Sequence, residues 1–160
     1  PPPGGHAMST MIELAVVGAH LSGMALNPEL RDHGAVFRRT VATAPCYRLF
    51  ALAGGPPRRP GLLRVAAAGS AIETEVWALP ASGFGRFVAA IPAPLCIGTL
   101  KLADGTTPKG FLVEPEGLVG AEDITRFGGW RAFLAAPPPD EPPGAPPHPP
   151  NQASTGRADP

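Results

Sequence analysis

His20 lies in a short polar turn that directly follows an apolar run of the chain. The run, residues 11–17, is rich in β-branched residues and predicts a strand buried on both faces. Gly18 and Gly23 bound the turn, and glycine lets the backbone approach a ligand closely. An imidazole exchanges protons near neutral pH. The pattern predicts a small-anion site with His20 as proton carrier, unless the ring only hydrogen-bonds the backbone of a tight turn.

Other ionisable residues have simpler explanations than chemistry. His33 lies in the last turn of a predicted helix, where a partial positive charge suits the helix dipole. Glu73 and Glu75 share one face of a predicted strand and are a possible acid–base pair. Two solvated carboxylates on an exposed strand face are more common. Arg58 and Arg59 can contact an anion, but their Gly/Pro-rich loop favours a solvated position.

The hydrophobic periodicity predicts the scaffold that must position these residues. Strand patterns cover residues 11–17, 35–52 (divided at Pro45), 62–65 and 71–79, and Asp104-Gly105 predicts a hairpin turn within 99–114. Helix patterns cover residues 27–34, 81–91 and 119–134, and residues 92–98 predict a stiff extended loop. Strands outnumber helices without alternating strictly with them. We therefore predict an α+β domain whose sheet is mixed or curled into a small barrel.

Composition limits the class of protein. The length of 160 residues fits one domain, for which we predict a disordered leader over 1–10, a folded domain over 11–136 and a disordered Pro-rich tail over 137–160. The net formal charge is zero and the basic residues are scattered, which argues against nucleic acid and membrane surfaces as partners. Cys46 and Cys96 form no local metal-binding cluster, so we expect two thiols in a reducing cytoplasm, no metal and no cofactor.

Six motifs, in order along the chain, resemble the C-terminal domain of allophanate hydrolase. Several motifs in matching order are more specific than any one of them, and together they span almost the whole predicted domain. They are VVGAHLSGM (16–24), TAPCYRLFAL (43–52), IETEVWALP (72–80), FGRFVAAIPAPLCIG (84–98), LADGTTPKGFL (102–112) and DITRFGGWR (123–131).

The resemblance implies a fold similar to that of the γ-glutamylcyclotransferases, a small mixed β-barrel with flanking helices. It also implies decarboxylation of N-carboxycarbamate, a small dicarboxylate, by a stand-alone copy of the domain that works beside a separate amidase. His20 would be the general acid. The residues expected to bind the substrate are Gly18, Ala19, Leu21 and Ser22 of the turn, Tyr47, and Pro94, Ile97 and Gly98 as a wall of the pocket.

Two other functions remain open at this point. The domain can be a non-catalytic anion-binding module or an assembly partner of an amidase. It can also retain cyclotransferase chemistry through Glu73 or Glu75. The loop over residues 92–98, where the resemblance places the cyclotransferase glutamate, contains no acidic residue, and this disfavours cyclotransferase chemistry.

Overall fold

The computed structural model describes residues 10–137, so the predictions for the leader and for most of the Pro-rich tail lie outside the described residues. Within that range, eight strands and three α-helices alternate irregularly. The strands are β1 (Met11–Val16), β2 (Val36–Ala42), β3 (Tyr47–Ala51), β4 (Pro60–Arg64), β5 (Glu73–Pro80), β6 (Leu95–Thr99), β7 (Lys109–Val113) and β8 (Glu122–Asp123). The helices are α1 (Asn27–Asp32), α2 (Ala81–Ala89) and α3 (Trp130–Ala135), with 3-10 turns at Pro115–Leu118 and Thr125–Phe127.

The larger sheet has five strands in the order β2-β5-β1-β7-β6. Strand β1 runs antiparallel to β5 and parallel to β7, and therefore lies in the middle of a mixed sheet. Its second half and the turn after it are buried, as the continuous apolar run predicted. The burial places the residues that follow β1 at the edge of a well-packed core.

A smaller sheet has the order β4-β3-β8 and packs against the larger one. At the contact, a Cβ added to Gly61 of β4 would lie 2.8 Å from the Cβ of Val113 in β7, so the two backbones approach closely. The α+β class with a mixed sheet and flanking helices is confirmed. In the described part of the chain the strands form two sheets and do not close into one hydrogen-bonded barrel.

Each helix contributes one large side chain to the common core. Leu30 of α1, Phe87 of α2 and Trp130 of α3 are all buried there. Among residues 10–137 no helix has the length and hydrophobicity needed to span a membrane.

Two predicted elements are wrong. Residues 95–99 form strand β6, which pairs antiparallel with β7 from Leu95↔Val113 to Thr99↔Lys109, where the sequence predicted a loop. Pro92 and Pro94 both precede the paired residues, so neither removes a hydrogen bond from the ladder. Residues 119–134 are not one helix: they contain the short strand β8, a 3-10 turn and α3. Gly128 adopts a left-handed conformation (φ 73°) that ends the 3-10 turn before α3 begins.

Candidate functional site

The turn after β1 is held by its own carbonyl groups. Leu21 N–H donates to the Gly18 carbonyl (2.9 Å), and Leu26 N–H donates to that of Ala19 (2.8 Å). The buried Asn27 side chain donates to the His20 carbonyl (2.9 Å), which ties the turn to the first residue of α1. A side chain at Gly18 would overlap the Pro60 ring, so the turn packs directly against β4. These hydrogen bonds use the carbonyl groups of the turn as acceptors and leave some of its backbone N–H groups without a partner among residues 10–137.

Three consecutive N–H groups of the turn have no acceptor in the described residues. The amides of Gly18, Ala19 and His20 donate to no acceptor among residues 10–137, whereas Leu21 and Ser22 donate within the protein. Consecutive free N–H groups at a turn can bind an anion. Gly18, Ala19 and His20 also line a narrow cleft of about 20 Å³ beside the His20 ring.

The His20 ring is buried, with 8 % of the residue exposed. It stacks on Phe111 (centroid distance 5.2 Å) and meets the edge of Phe87 (5.1 Å). Its Nε2 lies 3.0 Å from Oε2 of Glu29 in α1. Burial lowers the pKa of His20 below its ordinary value of 6.5, and nearby Arg59 lowers it further, although the contact with Glu29 opposes both effects. The imidazole is therefore predominantly neutral near pH 7 in the ligand-free protein.

A cavity of about 220 Å³ opens beside His20. It is smaller than the roughly 300–1,000 Å³ of pockets that hold drug-sized ligands. Its polar lining comes from His20, Glu29, His33 and Arg59, and its apolar lining comes from Phe87, Ala90, Ile91, Pro92 and Phe111. A few charged groups on an otherwise apolar wall are typical of a site for a small polar metabolite.

Arg59 is the strongest candidate for an anion contact in this cavity. It precedes β4, is only partly exposed, and lines both the cavity and the narrow cleft. Its guanidinium makes no hydrogen bond and no ion pair with any residue in the described range. A partly buried arginine without a partner is suited to bidentate binding of a carboxylate. The signal for this role in the sequence is a pair of arginines in a Gly/Pro-rich loop, a composition that favours a solvated position.

Ser22 makes contacts other than those its predicted role requires. Its N–H and its hydroxyl both donate to Oε1 of Glu75, at 2.8 and 2.9 Å. Trp77 Nε1 (3.2 Å) donates to the same oxygen, and Arg131 pairs with Oε2 (3.0 Å). The prediction that Glu75 is a solvated acid on an exposed face is wrong, because only 4 % of the residue is exposed. Strand β5 lies between two other strands and its Glu75 side chain points into this network.

The remaining predicted substrate-binding residues lie apart from the His20 cavity. Tyr47 is buried in β3, and its hydroxyl accepts a hydrogen bond from Lys101 N–H (2.9 Å). Ile97 and Gly98 are paired in β6. Pro94 lines a separate hollow of about 330 Å³, which shares Arg59 and Pro92 with the cavity. Their role in binding stays a prediction, as does that of Leu21, which is buried in the core.

Metal and thiol chemistry receive no support from the described residues. No group of three or more histidine, cysteine or acidic side chains comes together within residues 10–137 to hold a metal ion. Cys46 and Cys96 are both free thiols. Burial raises the pKa of the Cys96 thiol, and the Glu114 carboxylate adds to the effect, so this thiol is less reactive than an exposed one.

Comparison with known proteins places this chain in a family. Residues 12–135 match the family described as the allophanate hydrolase C-terminal domain. The chain belongs to this family. It is 45 % identical over 130 residues to urea amidolyase from Saccharomyces cerevisiae, a match that covers 79 % of this chain and 7 % of the relative. The chain thus spans a small part of the length of the curated relatives it matches.

Solved structures agree with the family assignment. Allophanate hydrolase from Kluyveromyces lactis has a TM-score of 0.76 at 40 % identity, over 78 % of this chain and 21 % of the other. A uropathogenic Escherichia coli-specific protein has a TM-score of 0.73 at 37 % identity, over 78 % of this chain and 96 % of the other. The domain therefore makes up nearly all of one solved chain and about a fifth of another.

More distant structures share the fold alone. A protein from Pyrococcus horikoshii has a TM-score of 0.58 at 17 % identity, and an AIG2-like protein from Mus musculus has 0.51 at 20 %. These likenesses agree with the predicted γ-glutamylcyclotransferase-like fold class.

Proposed function

We propose that this allophanate hydrolase C-terminal domain removes carbon dioxide from N-carboxycarbamate or a closely related small N-carboxylate. The observation that carries the proposal is the pairing of His20 with the unpartnered Arg59 in one small cavity. A proton carrier and a carboxylate anchor are the two groups that this reaction needs. Family membership supports the substrate class, since relatives are named allophanate hydrolase and urea amidolyase.

The reaction needs one proton at one atom. N-carboxycarbamate, with two carboxylates on one N–H group, loses carbon dioxide when a C–N bond breaks and its electron pair stays on nitrogen. His20 as imidazolium gives its proton to that nitrogen, so that carbamate and neutral His20 remain. Arg59 and the amides of Gly18 and Ala19 hold the carboxylate that stays. Phe87 and Phe111 keep water from the ring and hold it in place.

The lowered pKa of His20 fits this role once the substrate charge is included. In the ligand-free site, burial and Arg59 favour the neutral ring. A bound dianion brings two negative charges next to the imidazole, and a nearby opposite charge raises the pKa of a histidine. His20 would thus take up a proton as the substrate binds and release it during the reaction.

A coupled assay tests the proposal. An amidase that lacks this domain would supply N-carboxycarbamate from allophanate, and carbon dioxide release would be followed with and without the chain. We expect wild-type protein to accelerate the release and His20→Asn to lower the rate by about 10²-fold, the lower end of general acid–base effects. His33→Asn is the matched comparison, because His33 lines the same cavity but its Nδ1 contacts the Glu29 carbonyl (2.7 Å). Equal rates for wild type and His20→Asn would contradict the proposal.

We also propose an amidase as the partner and the cytoplasm as the location. The support is that relatives carry this domain within much longer chains named urea amidolyase. The alternative of a non-catalytic anion-binding domain makes a different prediction in the same assay. Malonate, a stable dicarboxylate of similar shape, would bind beside His20, but the chain would leave the rate of carbon dioxide release unchanged.

A further inference from the structure

The GGWR motif near the end of the domain contributes to the His20 turn through one side chain. Arg131 is the second residue of α3. Its Nη2 donates to Glu75 Oε2 (3.0 Å) and to the Ser22 carbonyl oxygen. Its Nη1 lies 3.6 Å from Oε1 of Glu73. The guanidinium thus contacts both the central sheet and the turn, although 109 positions separate it from Ser22 in the sequence.

Glu75 is the junction of this arrangement. Oε1 accepts hydrogen bonds from Ser22 and Trp77, and Oε2 accepts one from Arg131. Burial alone would raise the pKa of Glu75, but the Ser22 N–H and hydroxyl, the Trp77 indole and Arg131 lower it below its ordinary value of 4.5. The carboxylate is ionised, and both its oxygens have partners.

The position of Arg131 is fixed by the backbone at the start of α3. Glu73 N–H donates to the Gly128 carbonyl (2.8 Å), which joins the chain before α3 to β5. A Cβ added to Gly129 would lie 3.1 Å from the Cβ of Glu73, so the start of α3 packs closely on the same strand. Trp130 is buried in the core beside them. Arg131 therefore has little freedom to leave Glu75.

We propose that the Arg131–Glu75 ion pair is a positioning device for His20. Ser22 lies two residues after His20, and the pair holds both the N–H and the carbonyl of Ser22. With Ser22 fixed to β5, the His20 ring is held between Phe87 and Phe111 and faces the cavity. The inference rests on the proposed function for its chemical consequence, but the placement of the turn can be measured without any substrate.

The experiment compares Arg131→Gln and Glu75→Gln with the wild-type chain. Arg131→Lys keeps the charge and serves as the conservative rescue. Arg126→Gln is the matched control, because Arg126 precedes α3, is more exposed and contacts residues close to it in the chain: the Asp123 carbonyl (3.2 Å), Glu122 (3.9 Å) and the Phe127 ring. The readouts are amide hydrogen exchange of residues 19–24, the NMR titration of the His20 ring, malonate affinity and the thermal midpoint.

We expect Arg131→Gln to speed exchange at residues 19–24 about ten-fold or more, while exchange in the central strands β1 and β5 changes much less. The titration midpoint of His20 should move toward 6.5, because a less well-held ring is more solvated. Malonate binding should weaken by a similar factor, with recovery in Arg131→Lys. Arg126→Gln should resemble wild type in every readout.

Two results would overturn the inference. One is faster exchange spread evenly over the whole domain, since that indicates lost global stability without a specific effect on the turn. The other is an unchanged turn and an unchanged His20 titration in both Arg131→Gln and Glu75→Gln. If the turn responds as expected but His20→Asn has no effect on carbon dioxide release, the positioning device stands and the proposed reaction fails.

Discussion

The imidazole of His20 is buried between two phenylalanine rings and also contacts a carboxylate. Burial lowers its pKa below 6.5, and Glu29 acts in the opposite direction. A general acid must be protonated before the substrate binds or while it binds. We therefore predict that kcat/KM for carbon dioxide release rises as the pH falls through the lowered pKa of free His20, below 6.5.

The measurement is a pH profile of kcat/KM and kcat in the coupled assay, corrected for the pH dependence of the amidase itself. The fall of kcat with rising pH should occur at a higher pH than the fall of kcat/KM, because the bound dianion raises the pKa of His20. Glu29→Gln removes the carboxylate that raises this pKa, so the kcat/KM limb should move to lower pH. A profile that rises with increasing pH would instead assign His20 the role of a general base.

Arg59 allows a second prediction at the level of a single residue. Arg59→Gln removes the unpartnered guanidinium of the cavity and leaves a shorter, neutral polar side chain. We expect malonate affinity to fall by roughly 10- to 100-fold, since hydrogen bonds to charged groups contribute about 1.5–3 kcal/mol. Arg126→Gln, an arginine outside the cavity, is the control for the loss of one positive charge. Calorimetry of malonate binding measures both, and equal affinities would exclude Arg59 as the anchor.

Two glycines of α2 separate the effects of packing and of helix propensity. A Cβ at Gly83 would overlap the carbonyl oxygen of His33 at the end of α1, whereas a Cβ at Gly85 would meet nothing within 4 Å. Gly83 thus lets α2 approach α1, and the two helices together form one side of the His20 cavity.

The two alanine variants should therefore change stability in opposite directions. Gly83→Ala should lower the free energy of unfolding by about 1–3 kcal/mol through overpacking. Gly85→Ala should raise it by about 0.5–1 kcal/mol, because alanine has the better helix propensity. Urea denaturation of both variants is the measurement. Stabilisation by both substitutions would mean that α2 can shift away from α1 without cost.

The elements that the sequence predicted correctly carry a strong local pattern. The apolar run before Gly18 predicted the buried strand β1, and the period of Phe84, Phe87 and Val88 predicted α2. Strand β6 was missed because its five residues follow two prolines, and the pairing with β7 that creates it is not a local property. Strand β8 was missed for the same reason, because it has only two residues and forms through its pairing with β3.

At the scale of the whole molecule, the site depends on contacts that no local pattern encodes. His20 was predicted because a histidine between glycines is visible in the sequence. Arg59, just before β4, and Glu75 of β5 reach the same region only after the sheets have assembled, and Arg131 comes from the last helix. The positions of Arg59, Glu75 and Arg131 along the chain do not indicate that they meet in the fold. The local sequence alone therefore predicts a solvated Arg59 and an exposed Glu75. The six motifs that resemble a known family point to the assembled fold, but they do not show which of these residues contact each other.

The buried ionisable groups also predict how the whole domain responds to acid. His20 has a folded pKa below 6.5, so the unfolded chain binds its proton more readily. The free energy of unfolding should therefore fall as the pH drops below about 6.5 and level off below the folded pKa. Glu75 and Asp123 have folded pKa values below their ordinary 4.5 and 3.8, although burial opposes the shift in both. The hydrogen bonds of Ser22 to Glu75 and of Thr125 to Asp123, together with the Arg131 and Arg48 ion pairs, stabilise the fold above those values, and the stabilisation is lost as the pH falls through the folded pKa values.

Acid denaturation should accordingly occur in two stages, which urea midpoints measured from pH 8 to pH 2 can resolve. His20→Asn should remove the upper stage and leave the lower one, because asparagine does not titrate. Glu75→Gln should lower stability at neutral pH, since Arg131 loses its charged partner, yet reduce the further loss below pH 4.5. In the pH range of the upper stage, stability and kcat/KM should change in opposite directions, because the protonation that makes His20 an acid also destabilises the fold. A bound dicarboxylate should stabilise the protonated form of His20. Malonate should therefore raise the urea midpoint more at pH 5.5 than at pH 8. An equal rise at both pH values would mean that malonate binding does not depend on the protonation of His20.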